Sequence, residues 1–350
     1  MRLGIRATSG VLLALALGVT ACPNPVCKFR GTINAPEHLT MRRHLLRKGM
    51  GDFCKQMLQR NAPLRLQADA PVIGRFFPQQ CTSTEVDDNL RVQFSGVGYG
   101  WTNVSKKVTF TANAAALYRY DFRVREDGDC DIYAYFRPSR IDANDFKVNK
   151  IEGTAASVLN QFTNMGQTFG QQLVSKKLTE GFTVVSYDAK DTDIDFALGI
   201  IPVGQRLPHP YQAHGTDKVT YESERIEVHQ NQRDFIGPIP VEDGGRAIFV
   251  SAQLDGAPAL DVLLLRKEEG DASLRQYVDN PQAGPMVGAP LGGDMLRQGT
   301  ELRRAFTVPP GMYYVVIDNT ATAGTVMPPN NAFDDRAAVV SYLIQVGDAS

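Results

Sequence analysis

The chain contains 350 residues, with 37 lysines and arginines against 38 aspartates and glutamates, so its formal net charge is −1. This balance, without any long basic run, excludes the strongly basic class of nucleic-acid-binding proteins, and we predict no nucleic-acid partner. The length is sufficient for two domains of ordinary size.

The N-terminus has the pattern of a secretory signal. Arg2 and Arg6 form a short positive region, and the apolar run from 11 to 19 is far shorter than the ~20 residues needed to cross a bilayer. The run ends in Val19-Thr20-Ala21-Cys22. This motif resembles the lipobox of bacterial lipoproteins, which has an aliphatic residue and two small residues before an obligatory cysteine. The resemblance implies that residues 1–21 are a lipoprotein signal peptide and that acyl chains such as palmitate are attached at Cys22. The alternative is an ordinary secretory signal with a cysteine nearby by chance.

Lipidation at Cys22 would determine where the protein resides. Each buried methylene of an acyl chain contributes about 0.8 kcal/mol, and two or more chains give stable anchoring. Proline rather than aspartate follows Cys22, and among lipoproteins this implies the outer membrane. We therefore predict a cell-envelope protein that contacts the membrane through its lipid anchor, with residues 22–33 as anchor and tether. Whether it faces the periplasm or the cell surface stays open.

Four cysteines follow the lipidation site, and they are predicted to form two disulfides. An even number in an oxidising compartment is typical of a disulfide framework. Three pairings exist for four cysteines. Cys27–Cys54 with Cys81–Cys130 is favoured, because each bridge joins neighbouring segments without crossing the other.

Residues 34–204 are predicted to form an α+β domain. A helix begins near Asn34, which suits the N-cap, with Pro36 in the first turn, and its basic face is expected to be solvated. Alternating apolar residues then predict antiparallel strands, which are clearest from 116 to 125. Helical spacing returns from about Thr154 to Leu178, and two more strands follow. The expected fold is therefore an antiparallel sheet with a long amphipathic helix.

The order of elements from Ala116 to Pro208 resembles that of lipid-binding lipoproteins in which a strongly curved sheet wraps a long helix. The resemblance implies an apolar pocket between helix and sheet, lined by a stripe of helix residues: Phe162, Met165, Phe169 and Leu173. Methionine is adaptable enough to line such a pocket. A stripe of this composition is more often ordinary core, and that alternative stays open.

Residues 205–222 are predicted to be a linker, because they combine turn residues with little periodicity. Every recognisable element in residues 223–350 is a short strand, which predicts an all-β sandwich domain. The stretch "FTVPPGMYYVVIDNTATAG", residues 306–324, is similar to the jelly-roll modules appended to secreted bacterial proteases. Those modules have no chemistry of their own, so the resemblance implies binding, adhesion or assistance in folding.

No motif in the sequence indicates catalysis. Two D-x-D-x-D runs, at 127–131 and 191–195, lack the glycine and the glutamate that complete a calcium loop. The five histidines show no zinc-binding spacing, and neither a nucleophile elbow nor a phosphate-binding glycine loop occurs. The sequence therefore predicts no enzyme, no metal site and no cofactor.

The function expected from these observations is that of a lipid-anchored, non-catalytic lipoprotein that acts as a binding or interaction module. Its partner would be an envelope protein, a polysaccharide or a lipid. Two alternatives stay open: a carrier of lipid or another apolar ligand in the N-terminal domain, and an envelope hydrolase with no recognisable motif. A filled core favours the interaction module, whereas an apolar cavity favours the carrier.

Overall fold

A computed structural model describes residues 25–50, 53–65, 70–102, 106–128, 130–152, 180–187, 194–205, 210–211, 218–280, 283–328 and 337–349. Strands dominate this part of the chain, and its helices are short. None of the helices in these ranges is both long and apolar enough to cross a membrane.

The N-terminal part is built on one antiparallel sheet. Its strands are β1 (Ala62–Leu64), β2 (Gly74–Val86), β3 (Asn89–Thr102), β4 (Lys106–Val124), β5 (Ile132–Ile151), β6 (Phe182–Ser186) and β7 (Ile194–Leu198). Each strand pairs with the next along the chain, and β1 also approaches β7, so this N-terminal sheet is nearly closed. Alternation along β4 buries one face, as the sequence predicts: Ala116, Tyr118, Tyr120, Phe122 and Val124.

Short helices that precede β1 cover the apolar face of the N-terminal sheet. They are α1 (Pro25–Lys28), α2 (Arg30–Asn34), α3 (Leu39–Gly49) and α4 (Phe53–Leu58), with a 3-10 turn at Pro36–His38. Leu46, Met50 and Phe53 join the core that the sheet's apolar side chains form. The ring of Phe53 lies 5.4 Å from that of Phe182, which shows how closely helix and sheet pack.

The basic face of α3 is not solvated throughout, contrary to the prediction. Arg42 is fully buried, and its Nε lies 2.7 Å from Asp121 Oδ1 on β4. Its Nη1 donates to the carbonyl oxygens of Ile33 and Ala35. Arg42 therefore joins the N-terminal helices to the sheet.

The predicted α+β class is wrong for the N-terminal part. The described residues are mainly strand, and short helices cover the sheet where a long one was expected. The predicted long helix, with Phe162, Met165, Phe169 and Leu173, lies outside the described residues. Strand was underpredicted because β5 continues to Ile151 through a mostly polar and exposed segment, of which Phe146 alone packs against the core among the described residues. Pairing with β4 holds that segment in place.

The C-terminal part contains eight of the described strands: β8 (Lys218–Val228), β9 (Gln232–Val241), β10 (Arg246–Asp255), β11 (Ala259–Arg266), β12 (Gly292–Arg297), β13 (Leu302–Thr307), β14 (Gly311–Asn319) and β15 (Ala338–Asp348). They form two four-stranded antiparallel sheets, in the orders β13-β10-β15-β8 and β12-β11-β14-β9. Apolar side chains from both sheets, such as Val250 and Leu264, share one core. We call this part the C-terminal sandwich.

A helix that the sequence did not reveal lies on the C-terminal sandwich, so the expectation of an all-β domain is also wrong. Helix α5 (Lys267–Asp279) packs Leu274 and Tyr277 against Phe235 and Tyr314 on the outer face of the β9-containing sheet. The segment was missed because it has few apolar residues and contains Gly270, a poor helix former. Glycine is needed at this position, because a Cβ there would overlap the Tyr314 ring.

Candidate functional site

The N-terminal sheet and the C-terminal sandwich meet over a buried surface. Val72, just before β2, bridges to β8: its N donates to Arg225 O at 2.7 Å, and its carbonyl accepts from Glu227 N at 2.8 Å. Phe77 and Tyr99 of the N-terminal sheet join an apolar cluster that belongs otherwise to the sandwich. The two parts therefore share a core.

Arg75 of β2 stands at the centre of this contact and is fully buried. Its Nε donates to both carboxylate oxygens of Asp234 on β9, at 2.9 and 2.7 Å. Its Nη1 donates to Asn61 and to Glu222, and its Nη2 donates to the Tyr342 hydroxyl. We call these five residues, with Tyr99, the interface cluster. Because buried charges are tolerated only when they are paired and hydrogen-bonded, the cluster fixes how the two parts fit together.

Tyr99 completes the bonding of Asp234. The Tyr99 hydroxyl donates to Asp234 Oδ1 at 2.9 Å and accepts from Phe235 N at 2.9 Å. Burial raises the pKa of Asp234, although the Arg75 guanidinium acts against this shift. Burial also raises the pKa of the Tyr99 phenol well above its usual value, so the hydroxyl stays a hydrogen-bond donor.

A second ion pair crosses the same surface. Arg65, which follows β1, pairs with Glu224 on β8, and both side chains are buried. Burial raises the pKa of Glu224 to about 7, while the Arg65 charge lowers it in part. This carboxyl group therefore titrates close to neutral pH.

Lysines of the β4–β5 hairpin contact the C-terminal end of α5. Lys107 Nζ donates to the carbonyl oxygens of Tyr277 and Asn280 at 3.0 and 2.9 Å, and Lys150 Nζ donates to that of Asp279. A cation is favoured at this end of a helix. Lys107 also lies 3.9 Å from the centroid of the Tyr277 ring. Burial lowers the pKa of Lys107 to about 8, which Glu152 opposes.

A small cavity of about 10 Å³ lies between Lys107 and Trp101, and Gln232 and Tyr277 also line it. The Trp101 ring stacks on His229 with centroids 3.8 Å apart, and its buried Nε1 has no partner among the described residues. This volume suits a single water and is too small for a lipid or a substrate. Nowhere in the described ranges do three His, Cys, Asp or Glu residues gather as metal ligands would.

The prediction of two disulfides is confirmed, but the favoured pairing is wrong. Cys27 of α1 is bonded to Cys130, and Cys54 of α4 is bonded to Cys81 on β2. The Cα atoms of the two pairs are 5.4 and 5.2 Å apart. This nested arrangement also avoids crossing, so the absence of crossing could not decide between the two pairings, and nearness in sequence favoured the wrong one. Cys22 lies outside the described residues.

The interface cluster was not predicted from the sequence. Arg75 lies in the strand segment "GRFFP" and Asp234 lies in "RDFIG", and the sequence pattern singled out neither residue. Each charge is followed directly by a phenylalanine within a strand, and this is the one signal that could have marked them. Their partners lie up to 267 residues away in sequence, so no local pattern could pair them.

No protein-family model matches the chain, and no curated protein matches it. A chain of the Bacillus endospore appendages, a family of disulfide-linked pili, is similar at 10% identity and a TM-score of 0.23, over 40% of this chain and 96% of that chain. The structure of infectious bursal disease virus Gx strain is similar at 12% identity and a TM-score of 0.22, over 82% and 75%. The structure of the Gt strain is similar at 10% identity and a TM-score of 0.21, over 83% of this chain and 70% of that chain. Scores this low do not establish a common fold and say nothing about function.

Proposed function

We propose that the protein is a lipid-anchored, non-catalytic lipoprotein of the cell envelope. It is held in the outer membrane through Cys22 and acts as a binding or interaction module. The observation that carries the proposal is the position of Val19-Thr20-Ala21-Cys22 at the end of the apolar leader. Two disulfides close behind it support export to an oxidising compartment.

The interface cluster supports a binding role over a chemical one. Its charged groups bond to one another, and the adjoining cavity admits no more than a water. A catalytic site needs a cleft in which perturbed groups meet a substrate. Groups such as Arg75 and Asp234 instead hold the N-terminal sheet against the C-terminal sandwich. Such a body would present its loops and edges to a partner in a fixed orientation.

The filled core beneath α3 and α4 favours the interaction module over a carrier of apolar ligands. Met50 and Phe53 pack with Phe136 and Phe182, whose rings stack with centroids 4.3 Å apart. These side chains fill the core on the apolar face of the described part of the N-terminal sheet. Lipid extraction of the purified protein tests the carrier alternative, which predicts a stoichiometric bound lipid besides the anchor.

Fractionation of cells that produce Cys22→Ser tests the anchor. We expect the wild-type protein in the membrane fraction with the added mass of its acyl chains, and the variant without that mass and outside the membrane. Pro23→Ala is the matched control, because it changes the neighbouring residue and leaves the cysteine. A Cys22→Ser variant that stays with membranes at the same mass as the wild type would refute the proposal. Crosslinking in intact cells then identifies the partner class.

A further inference from the structure

A disulfide places the body of the protein close to the proposed anchor. Cys27 is bonded to Cys130, two residues before β5, so α1 is fixed covalently beside the N-terminal sheet. Cys22 lies five residues before Cys27. An extended chain advances at most ~3.6 Å per residue, so the Cys22 Cα lies at most about 18 Å from that of Cys27. Acylation of Cys22 therefore holds this end of the protein at the bilayer surface.

An exposed aromatic side chain lies at this end. Phe29, between α1 and α2, is 55% exposed, although phenylalanine is usually found inside proteins. Lys28 and Arg30 flank it in sequence, and Lys28 is exposed. Aromatic rings and long cationic side chains of this kind favour the interface between lipid headgroups and acyl chains.

We propose that Phe29, with Lys28 and Arg30, forms a membrane-contact surface that inserts into the headgroup region of the bilayer holding the Cys22 anchor. The inference rests on the proposed function, because the length of the tether matters only if Cys22 is acylated. It adds a second contact to the lipid, so that the protein has a defined orientation at the membrane.

Tryptophan fluorescence of the acylated full-length protein tests the surface. Phe29→Trp is reconstituted in vesicles of phosphatidylethanolamine and phosphatidylglycerol with brominated acyl chains. Met327→Trp is the matched control, because Met327 is 77% exposed in the C-terminal sandwich. The native Trp101 is buried and supplies the background in both variants. We expect the emission added by Trp at position 29 to fall at least twofold in brominated vesicles, and that of the control to stay unchanged.

The outcomes separate this inference from the proposed function. In one outcome, the acylated Phe29→Trp protein binds vesicles, but aqueous acrylamide quenches its new emission as strongly as that of the control. This result would overturn the membrane-contact surface and leave the proposed anchor intact. If Trp at position 29 is protected from acrylamide in the absence of vesicles, and the protection rises with protein concentration, a second copy of the chain covers this position. That result would overturn the membrane-contact surface. Absence of the acyl mass from Cys22 would overturn both proposals.

Discussion

Arg75 and Asp234, 159 residues apart in sequence, meet in the interior with Arg75 Nε 2.7 Å from Asp234 Oδ2. The first belongs to the N-terminal sheet and the second to the C-terminal sandwich. Both side chains are buried, so Asp234 depends on Arg75 for compensation, while Arg75 is also paired with Glu222. The assembly of the two parts should therefore be sensitive to either residue.

Arg75→Met is expected to destabilise the protein by about 3–5 kcal/mol, because it leaves Asp234 buried without its charge partner. Urea denaturation measures the loss. Arg140→Met is the control, since Arg140 forms an exposed ion pair with Asp142, and such pairs contribute about 0–1 kcal/mol. Equal effects of the two substitutions would show that the interface cluster contributes no more than a surface pair.

Stability is expected to fall as the pH rises towards 7, because of Glu224. Burial raises the pKa of Glu224 in the folded protein to about 7, whereas the usual value for this carboxyl group is 4.5. A raised pKa in the folded state means that the contribution is complete below pH 4.5 and is lost as the pH passes 7. Glu224 alone should account for a loss of roughly 3 kcal/mol in the free energy of unfolding. Asp318, whose pKa burial raises to about 6, acts in the same direction.

Urea unfolding of Glu224→Gln between pH 4 and 8 checks this dependence, because the amide resembles the protonated acid. The decrease of the unfolding free energy with rising pH should become smaller in this variant. The control Glu85→Gln, at an exposed ion pair with Arg47, should leave that decrease unchanged. Stability that increases with pH in the wild type would mean that the Arg65 charge outweighs burial.

The two disulfides should differ in how much they stabilise the folded protein. Cys27–Cys130 closes a loop with a sequence separation of 103, and Cys54–Cys81 one of 27. In the chain-entropy model these correspond to about 4.7 and 3.5 kcal/mol, so Cys27→Ala with Cys130→Ala should cost more than Cys54→Ala with Cys81→Ala. Peptide mapping of the unreduced protein checks the pairing itself. Recovery of Cys27 linked to Cys54 would contradict it.

Gly270→Ala in α5 should destabilise the protein by about 1–3 kcal/mol, although alanine favours helix more than glycine does. The added Cβ would collide with the ring of Tyr314. Glu268→Ala, at an exposed position of the same helix, is the control and should change stability by less than about 0.5 kcal/mol. A gain in stability for Gly270→Ala would show that α5 does not pack closely against β14.

Local patterns predicted local structure well and long-range contacts poorly. Alternation at Tyr118, Tyr120 and Phe122 predicted β4, because a half-buried strand imposes period two on its side chains. The cysteine count predicted two disulfides, but the pairing depends on where α1 lies beside β5. No sequence pattern contains that placement.

The fold class was wrong because the decisive signals were weak or distant. Helix α5 owes its position to packing of Leu274 and Tyr277 on the sandwich and not to a strong helical stripe. The outer half of β5 is mostly polar and exposed, and it is held by pairing with β4. The sequence did not single out Arg75 because its compensating charges lie in other strands, so its burial could not be predicted from its neighbours.

The central claim is that a lipid on Cys22 holds this protein in the envelope, and the intact mass of protein extracted from the membranes of its own cells tests it most directly. We expect a chain that begins at Cys22, carries a diacylglyceryl group and an additional acyl chain, and lacks the four hydrogens of two disulfides. A mass that retains residues 1–21, or one in which Cys22 carries no lipid, would contradict the claim.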